Sequence, residues 1–302
     1  MYPNINTGVG MAMAAALNAN TTTGRFFIVC ASALAVKAEI DAMYGVGYPD
    51  GNAIVYTTIT AALAACVSGR GDLILVAPGH TEDIAGAAAI TVSKTGVRIV
   101  GVGAGRARPV LTWKTSTAAQ IVVSSANTSF ENFVFNLTGV SAVVAAFSVT
   151  AADVTFKNNE FILSTGTNAP VLGILTAATA ARLTIVGNRF IGPATSTDTV
   201  TAAIKHEVGI DYVIKNNEFK GKMTQAILNA TALLGGLIQD NTFVIATGTL
   251  AISVHASSTP FIARNLINVP SGTTPITAAA GFVAGNIYSA AAGVTAGTAV
   301  TI

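Results

Sequence analysis

Six asparagines in the second half of the chain constrain the fold more than any other feature. The strings VTFKNNEF, LTIVGNRF, YVIKNNEF, GLIQDNTF, FIARNLI and FVAGNIY share one frame. Each is a short β-prone run, an Asn, one variable residue, then Phe, Ile or Tyr. The asparagines are Asn159, Asn188, Asn217, Asn241, Asn265 and Asn286, spaced by 29, 29, 24, 24 and 21 residues. An imperfect earlier copy, FENFVF, surrounds Asn132, 27 residues before Asn159. Three residues before each Asn stand Phe156, Ile185, Ile214, Ile238, Ile262 and Val283, and two after stand Phe161, Phe190, Phe219, Phe243, Ile267 and Tyr288. The two apolar positions bracket the Asn in every copy, so both side chains are expected to face inward across a tight corner. Asn tolerates the left-handed backbone that such a corner needs, and each Asn is expected to adopt it. Corners every 20 to 30 residues, joined by short strands rich in Val, Ile and Thr, predict an all-β fold of stacked coils, a parallel β-solenoid. A leucine-rich repeat lacks its Leu frame here, and β-branched residues and Gly stand where helical repeats need helices.

Composition narrows the partners. Of 302 residues only 10 % are charged, against roughly 25 % in an average soluble domain. Apolar residues make up 51 %, and the mean hydropathy is +0.61, so the chain has the means to bury a long core. The 16 basic and 14 acidic residues give a formal net charge of +2 with no Lys/Arg block, which disfavours nucleic acid as a partner. No run of about 18 apolar residues predicts a membrane helix. The first twenty residues lack the basic stretch of a signal peptide, so none is expected there. Cys30 and Cys66 form no disulfide framework and are read as small hydrophobes, fitting assembly in a reducing cytosol. The glycosylation-like sequons at Asn20, Asn127, Asn136 and Asn229 are then chance in a Thr-rich chain.

Along the chain, residues 1–50 are expected to form an N-terminal arm with a short helix, and residues 51–302 the solenoid. Arg25–Ala31 is a strand candidate, Ala33–Tyr44 has helical character, and Thr57–Val67 has helical spacing suited to plugging the first coil. Plugging matters because a bare solenoid end exposes core and unpaired strand edges.

Candidate chemistry is sparse. His80-Thr81-Glu82-Asp83 is the densest polar cluster; it fits a base with an orienting acid less well than a turn held by side-chain-to-backbone bonds. His80, His206 and His255 lie too far apart in sequence for a metal motif, and no cofactor is expected. Gly101-Val102-Gly103-Ala104-Gly105-Arg106 follows a strand but opens no helix, so a solenoid turn is favoured over a phosphate cradle. The residues after the first three corner Asn are Glu160, Arg189 and Glu218. With coils about 4.8 Å apart they would stack as an outer acid–base–acid ladder, the carboxylates about 9.6 Å from one another. That spacing approaches an inverting glycosidase pair, but Arg189 between them would hold both acids ionised, so a surface ion ladder is the expectation. Asp198, Glu207 and Asp211 are the nearest approach to a further acidic group.

The coil pattern resembles the right-handed parallel β-helix of the pectate-lyase-like superfamily, whose short turn between two strands often carries a stacked Asn. Residues 54–113, with the cap-like segment, GDLILV, PGHTE and VGVGAGR, resemble the opening of a bacteriophage β-helix virion protein. The resemblance implies a structural virion protein, a homotrimer bound to the major capsid protein as a cement or decoration protein, assembled in the host cytoplasm and not an enzyme. The alternative it implies is a tailspike or fibre that binds or cleaves host polysaccharide. Enzymes of the superfamily carry an Asp column for calcium and an Arg base; no such column appears here. Exposed aromatics for sugar stacking are also not expected, since most Phe are assigned inward and Trp113 is the single Trp.

Overall fold

In the computed structural model the chain forms a right-handed parallel β-helix of about nine turns. The structure describes Met13 and residues 24–302, except 166–167, 178, 195–199, 208, 247–249, 271–274, 278–281, 291–297 and 300–302. Three sheets of eleven, ten and eight strands run the length of the solenoid, here called sheets 1, 2 and 3. One coil contributes Thr128–Glu131 to sheet 1, Val134–Asn136 to sheet 2 and Phe147–Val149 to sheet 3. The next contributes Val154–Lys157, Glu160–Ile162 and Leu172–Thr176. Successive coils pair in parallel and in register, while at the C-terminal edge of sheet 2 Thr298–Ala299 pairs antiparallel with Ile287–Ala290.

Strands of only three or four residues suffice because each is buried on one face and hydrogen-bonded to coils above and below. The inner column of sheet 1 holds Phe156, Ile185, Ile214, Ile238 and Ile262, all fully buried, and then Val283. That of sheet 2 holds Phe161, Phe190, Phe219 and Phe243, whose rings stack with centroids 4.5, 4.8 and 4.8 Å apart, which is the coil spacing itself. Ile267 continues this column; Tyr288 follows in register, and its side chain lies outside the described residues.

The N-terminal region departs from the expected division at residue 50. Strand β1 (Phe26–Val29) lies in sheet 1 between β2 (Val55–Tyr56) and β3 (Leu73–Val76). Residues from about 24 onward are therefore part of the solenoid, because Phe27 and Val29 alternate inward into the same core as Ile74 and Val76. Helix α1 (Lys37–Tyr44), shorter than the helical stretch expected from Ala33, covers the outer face of these strands through Ile40, where Met13, Ile28, Leu73 and Leu75 are also buried. Helix α2 (Ile59–Ala65) plugs the solenoid end with Ile59, Ala62 and Leu63. Its N-terminus is capped by Thr58, whose hydroxyl accepts from the Ala61 N–H at 3.2 Å. Asp72, fully buried beside it, accepts from the backbone N–H of Arg25 and Val67 and from the Arg70 guanidinium.

Candidate functional site

The asparagines form one continuous ladder. Each Asn Oδ1 accepts from the backbone N–H of the residue in the same place one coil earlier: Phe133 onto Asn159, then Asn159 onto Asn188, and so on to Asn265 onto Asn286, at 2.8–3.0 Å. Each Nδ2 donates to a sheet 1 carbonyl of the preceding coil, such as Phe130 and Ile185, at 2.8–2.9 Å. From Asn159 to Asn265 it also donates to the next Oδ1, at 2.9–3.1 Å.

The left-handed conformation, however, belongs to the residue before each of them. Asn158, Gly187, Asn216, Asp240, Arg264 and Gly285 have φ between 53° and 67°. Asn159, Asn188, Asn217, Asn241, Asn265 and Asn286 turn their amides into the wall, and every one of them is buried. Asn132, with φ 64°, belongs to the left-handed column too, so the earlier copy aligns one residue away from the frame read in the sequence, and Phe133 occupies the ladder position. The two roles sit side by side in the sequence, and for Asn158-Asn159 and Asn216-Asn217 the residue type is the same in both.

The outer ladder forms in part. Glu160, Arg189 and Glu218 do lie on adjacent coils in register, and Arg189 Nε pairs with Glu218 Oε2 at 2.8 Å. Glu160 instead pairs with Arg108, from two coils earlier. Other carboxylates are similarly committed: Asp153 to Arg182, Glu131 to Lys157 and Asp240 to Arg264 and Lys215, all across coils. The guanidinium beside Asp153 and that beside Asp240 hold both carboxyls below the usual range. Glu207 pairs with Lys205 at 2.5 Å, Asp211 is a left-handed corner residue, and Asp198 lies outside the described residues, so these three form no acidic group that can be described.

The histidines have separate settings. His80 Nδ1 accepts from the Ala31 N–H at 3.1 Å, which leaves Nε2 to face Glu82 Oε2 at 3.3 Å. The same Glu82 oxygen accepts from the Ile59 N–H at the start of α2, so the pair ties N-terminal chain, plug and first coil together. His206 is fully buried inside the solenoid; its Nδ1 lies 2.7 Å from Thr176 Oγ1 and its ring 4.7 Å from that of Tyr212. Burial lowers the His206 pKa to about 4 and raises that of Tyr212 to about 12. The thiols are also buried, and desolvation pushes Cys66 up to about 12, so it is a poor nucleophile. Among the described residues no group of three or more His, Cys, Asp or Glu could hold a metal ion. The glycine turn presents carbonyls, not a phosphate cradle: Gly101 and Gly103 carbonyls accept from Asn132 Nδ2 at 2.7 and 2.9 Å. At Gly103, φ is 117° and a Cβ would lie 2.6 Å from the Ala107 carbonyl, which fixes Gly there.

Two features of the outer surface remain, both on sheet 1. Over its middle coils a concavity of about 360 Å³ has a floor of hydroxyls, Ser129, Thr155 and Thr184, in register, with Asn127, Asp153 and Arg182 along one side and Arg98 at one end. Ser129 Oγ is buried there without a hydrogen-bond partner. Farther along, the same outward column turns apolar: Val213, Leu237, Phe261 and Phe282. Phe261 and Phe282 stack 5.0 Å apart while 40 % and 60 % exposed. The sequence frame held the signal for these outward aromatics, since each directly precedes an inward residue, Ile262 or Val283, and strands alternate.

The arrangement therefore offers a rigid wall with a polar concavity and an apolar strip. No protein-family model and no curated protein matches the chain. Among solved structures, the crystal structure of pectate lyase Pel9A is similar in fold, with a TM-score of 0.59 and 14 % sequence identity, over 89 % of this chain and 80 % of that one.

Proposed function

We propose that this chain is a structural protein of a bacteriophage particle, a trimeric cement protein that binds the outside of the head through non-covalent contacts with the major capsid protein. The observation that carries this reading is the commitment of surface charge to the solenoid's own coils. Arg98, Arg108, Lys157, Arg182, Arg189 and Arg264 each bridge to a carboxylate on another coil, so polar chemistry reinforces the stack. The segment 54–113, which resembles a virion β-helix opening, supports the same reading. Its mechanism is burial of apolar area across capsomer boundaries, about 25 cal/mol per Å², less the costs of ordering. Copy number in purified particles, from gel densitometry against the major capsid protein, tests it. Hundreds of copies support a shell component, and absence from the particle overturns the virion assignment.

The hydroxyl-floored concavity favours a second reading, a tailspike or fibre that binds polysaccharide, since the in-register hydroxyls, with Arg98 and Arg182 at their margins, are hydrogen-bonding partners for a sugar chain. A copy number in the low tens together with host-polysaccharide binding that Thr155→Val weakens would favour it. Cleavage of that polysaccharide is then the assay for activity, with Glu160→Gln and Glu218→Gln as the variants to compare.

A further inference from the structure

Three buried side-chain polar atoms lack a hydrogen-bond partner among the described residues: Ser129 Oγ, on the outer face of sheet 1, His206 Nε2 and Asn229 Oδ1. The last two share one place. His206 and Asn229 are register partners on adjacent coils of sheet 3, in an inward column that runs Val123, Val149, Thr176, His206, Asn229 and Val254. Thr176, His206 and Asn229 are 0, 1 and 2 % exposed, so this polar stretch is sealed between apolar rungs. Native interiors pair such groups almost without exception, with protein or with ordered water.

The bonds already made fix what each orphan is. Thr176 Oγ1 accepts from the Glu207 N–H at 3.2 Å and lies 2.7 Å from His206 Nδ1. Its own hydrogen therefore goes to Nδ1, and the imidazole, kept neutral by burial, carries its hydrogen on Nε2. Asn229 Nδ2 donates to the Tyr212 hydroxyl at 2.5 Å, which leaves Oδ1 as an acceptor. Tyr212 stands against both residues, its ring 4.7 Å from the imidazole, and its hydroxyl retains a hydrogen to give. A donor on one coil thus faces the level of an acceptor on the next, about 4.8 Å along the stack. One water with two hydrogen bonds of about 2.8 Å spans about 4.5–5 Å, which matches that step.

We propose that the solenoid core holds a single internal water between His206 and Asn229, accepting from Nε2–H and donating to Oδ1, with the Tyr212 hydroxyl as third partner. Three partners is the usual complement of a buried water. Gly209 forms the wall beside it: its φ is 152°, and a Cβ there would stand 3.1 Å from Nε2, so glycine leaves that place free. The water joins two coils of sheet 3 from inside, as the asparagine ladder joins coils at the corner of sheets 1 and 2.

A crystal structure of the full chain, at a resolution that shows ordered water, is the test. Magnetic resonance on the chain with isotope-labelled histidine is its counterpart in solution. Expected are a water within about 3.2 Å of both Nε2 and Oδ1, the Nε2–H tautomer of His206, and cross-relaxation between that hydrogen and a long-lived water. Direct contact of Nε2 with Oδ1, no density between them, the opposite tautomer, or an Nε2–H signal without cross-relaxation to water each overturns the inference. Asn229→Leu removes the acceptor and is expected to abolish the cross-relaxation; its survival there also overturns the site. If that chain does not fold, Tyr212→Phe removes one partner of three and is expected to keep the water. None of these outcomes depends on the virion reading.

Discussion

Substituting Asn217 by Ala should cost about 2–4 kcal/mol, and substituting its neighbour Asn216 by Gly should cost almost nothing. Asn217 Oδ1 accepts from Asn188 N at 2.8 Å and from Asn188 Nδ2 at 3.1 Å; its Nδ2 donates to the Ile185 carbonyl at 2.8 Å and to Asn241 Oδ1 at 3.0 Å. Truncation leaves the Asn188 N–H buried with no acceptor, a penalty of about 1–3 kcal/mol. The Ile185 carbonyl loses a donor and the wall loses the packed amide, which adds about 1 kcal/mol more. Asn241 Oδ1 keeps its bond from the Asn217 N–H, so the damage does not propagate down the ladder. Asn216, by contrast, is a left-handed corner with φ 56°, where Gly fits without strain and Val costs about 1–2 kcal/mol. Urea unfolding followed by far-ultraviolet circular dichroism measures all three. The expected order of destabilisation is Asn217→Ala, then Asn216→Val, with Asn216→Gly within about 0.5 kcal/mol of wild type. Equal costs for Asn216→Gly and Asn217→Ala would refute the separation of ladder and corner roles.

Burial of His206 makes stability depend on acidity. The folded state binds its proton only near pH 4, the unfolded state near 6.5, so stability is full above about 6.5 and falls as pH drops toward 4. The loss at pH 4.5 is roughly 2–3 kcal/mol, and the urea midpoint of His206→Gln should lack that part of the pH dependence; an unchanged profile refutes the assignment. Deleting residues 1–23 leaves β1 in place and should give soluble protein. Deleting 1–45 removes β1, bares the edge of Leu73–Val76 and should aggregate; equal behaviour of the two on size-exclusion chromatography would contradict the integration of β1. Asp72→Ala takes one carboxylate from Arg70, orphans the N–H groups of Arg25 and Val67 and should lower stability by about 3 kcal/mol, read as a urea midpoint; a shift under 1 kcal/mol would show that water satisfies those donors.

The sequence by itself determined the solenoid and much of its wall. Apolar residues three before and two after each Asn fix which side chains face inward, and coil-length spacing fixes stacking, because both are local patterns repeated along one dimension. The same patterns left the ladder and corner roles one residue out of place, since Asn suits either a left-handed turn or a buried amide ladder, and only the backbone path separates Asn158 from Asn159. Tertiary structure alone decided which residues of different coils meet. Arg108 takes Glu160 from across 52 residues, although Arg189 is the in-register neighbour. β1 enters sheet 1 although its sequence neighbours read as an arm. An exposed apolar corner gathers Phe261, Leu266, Phe282 and Ile287 from two coils, because loop length sets the coil in which each strand lands and the Asn turn sets which flank it faces. Periodicity encodes the direction of each side chain; contacts between coils depend on the path of the whole chain.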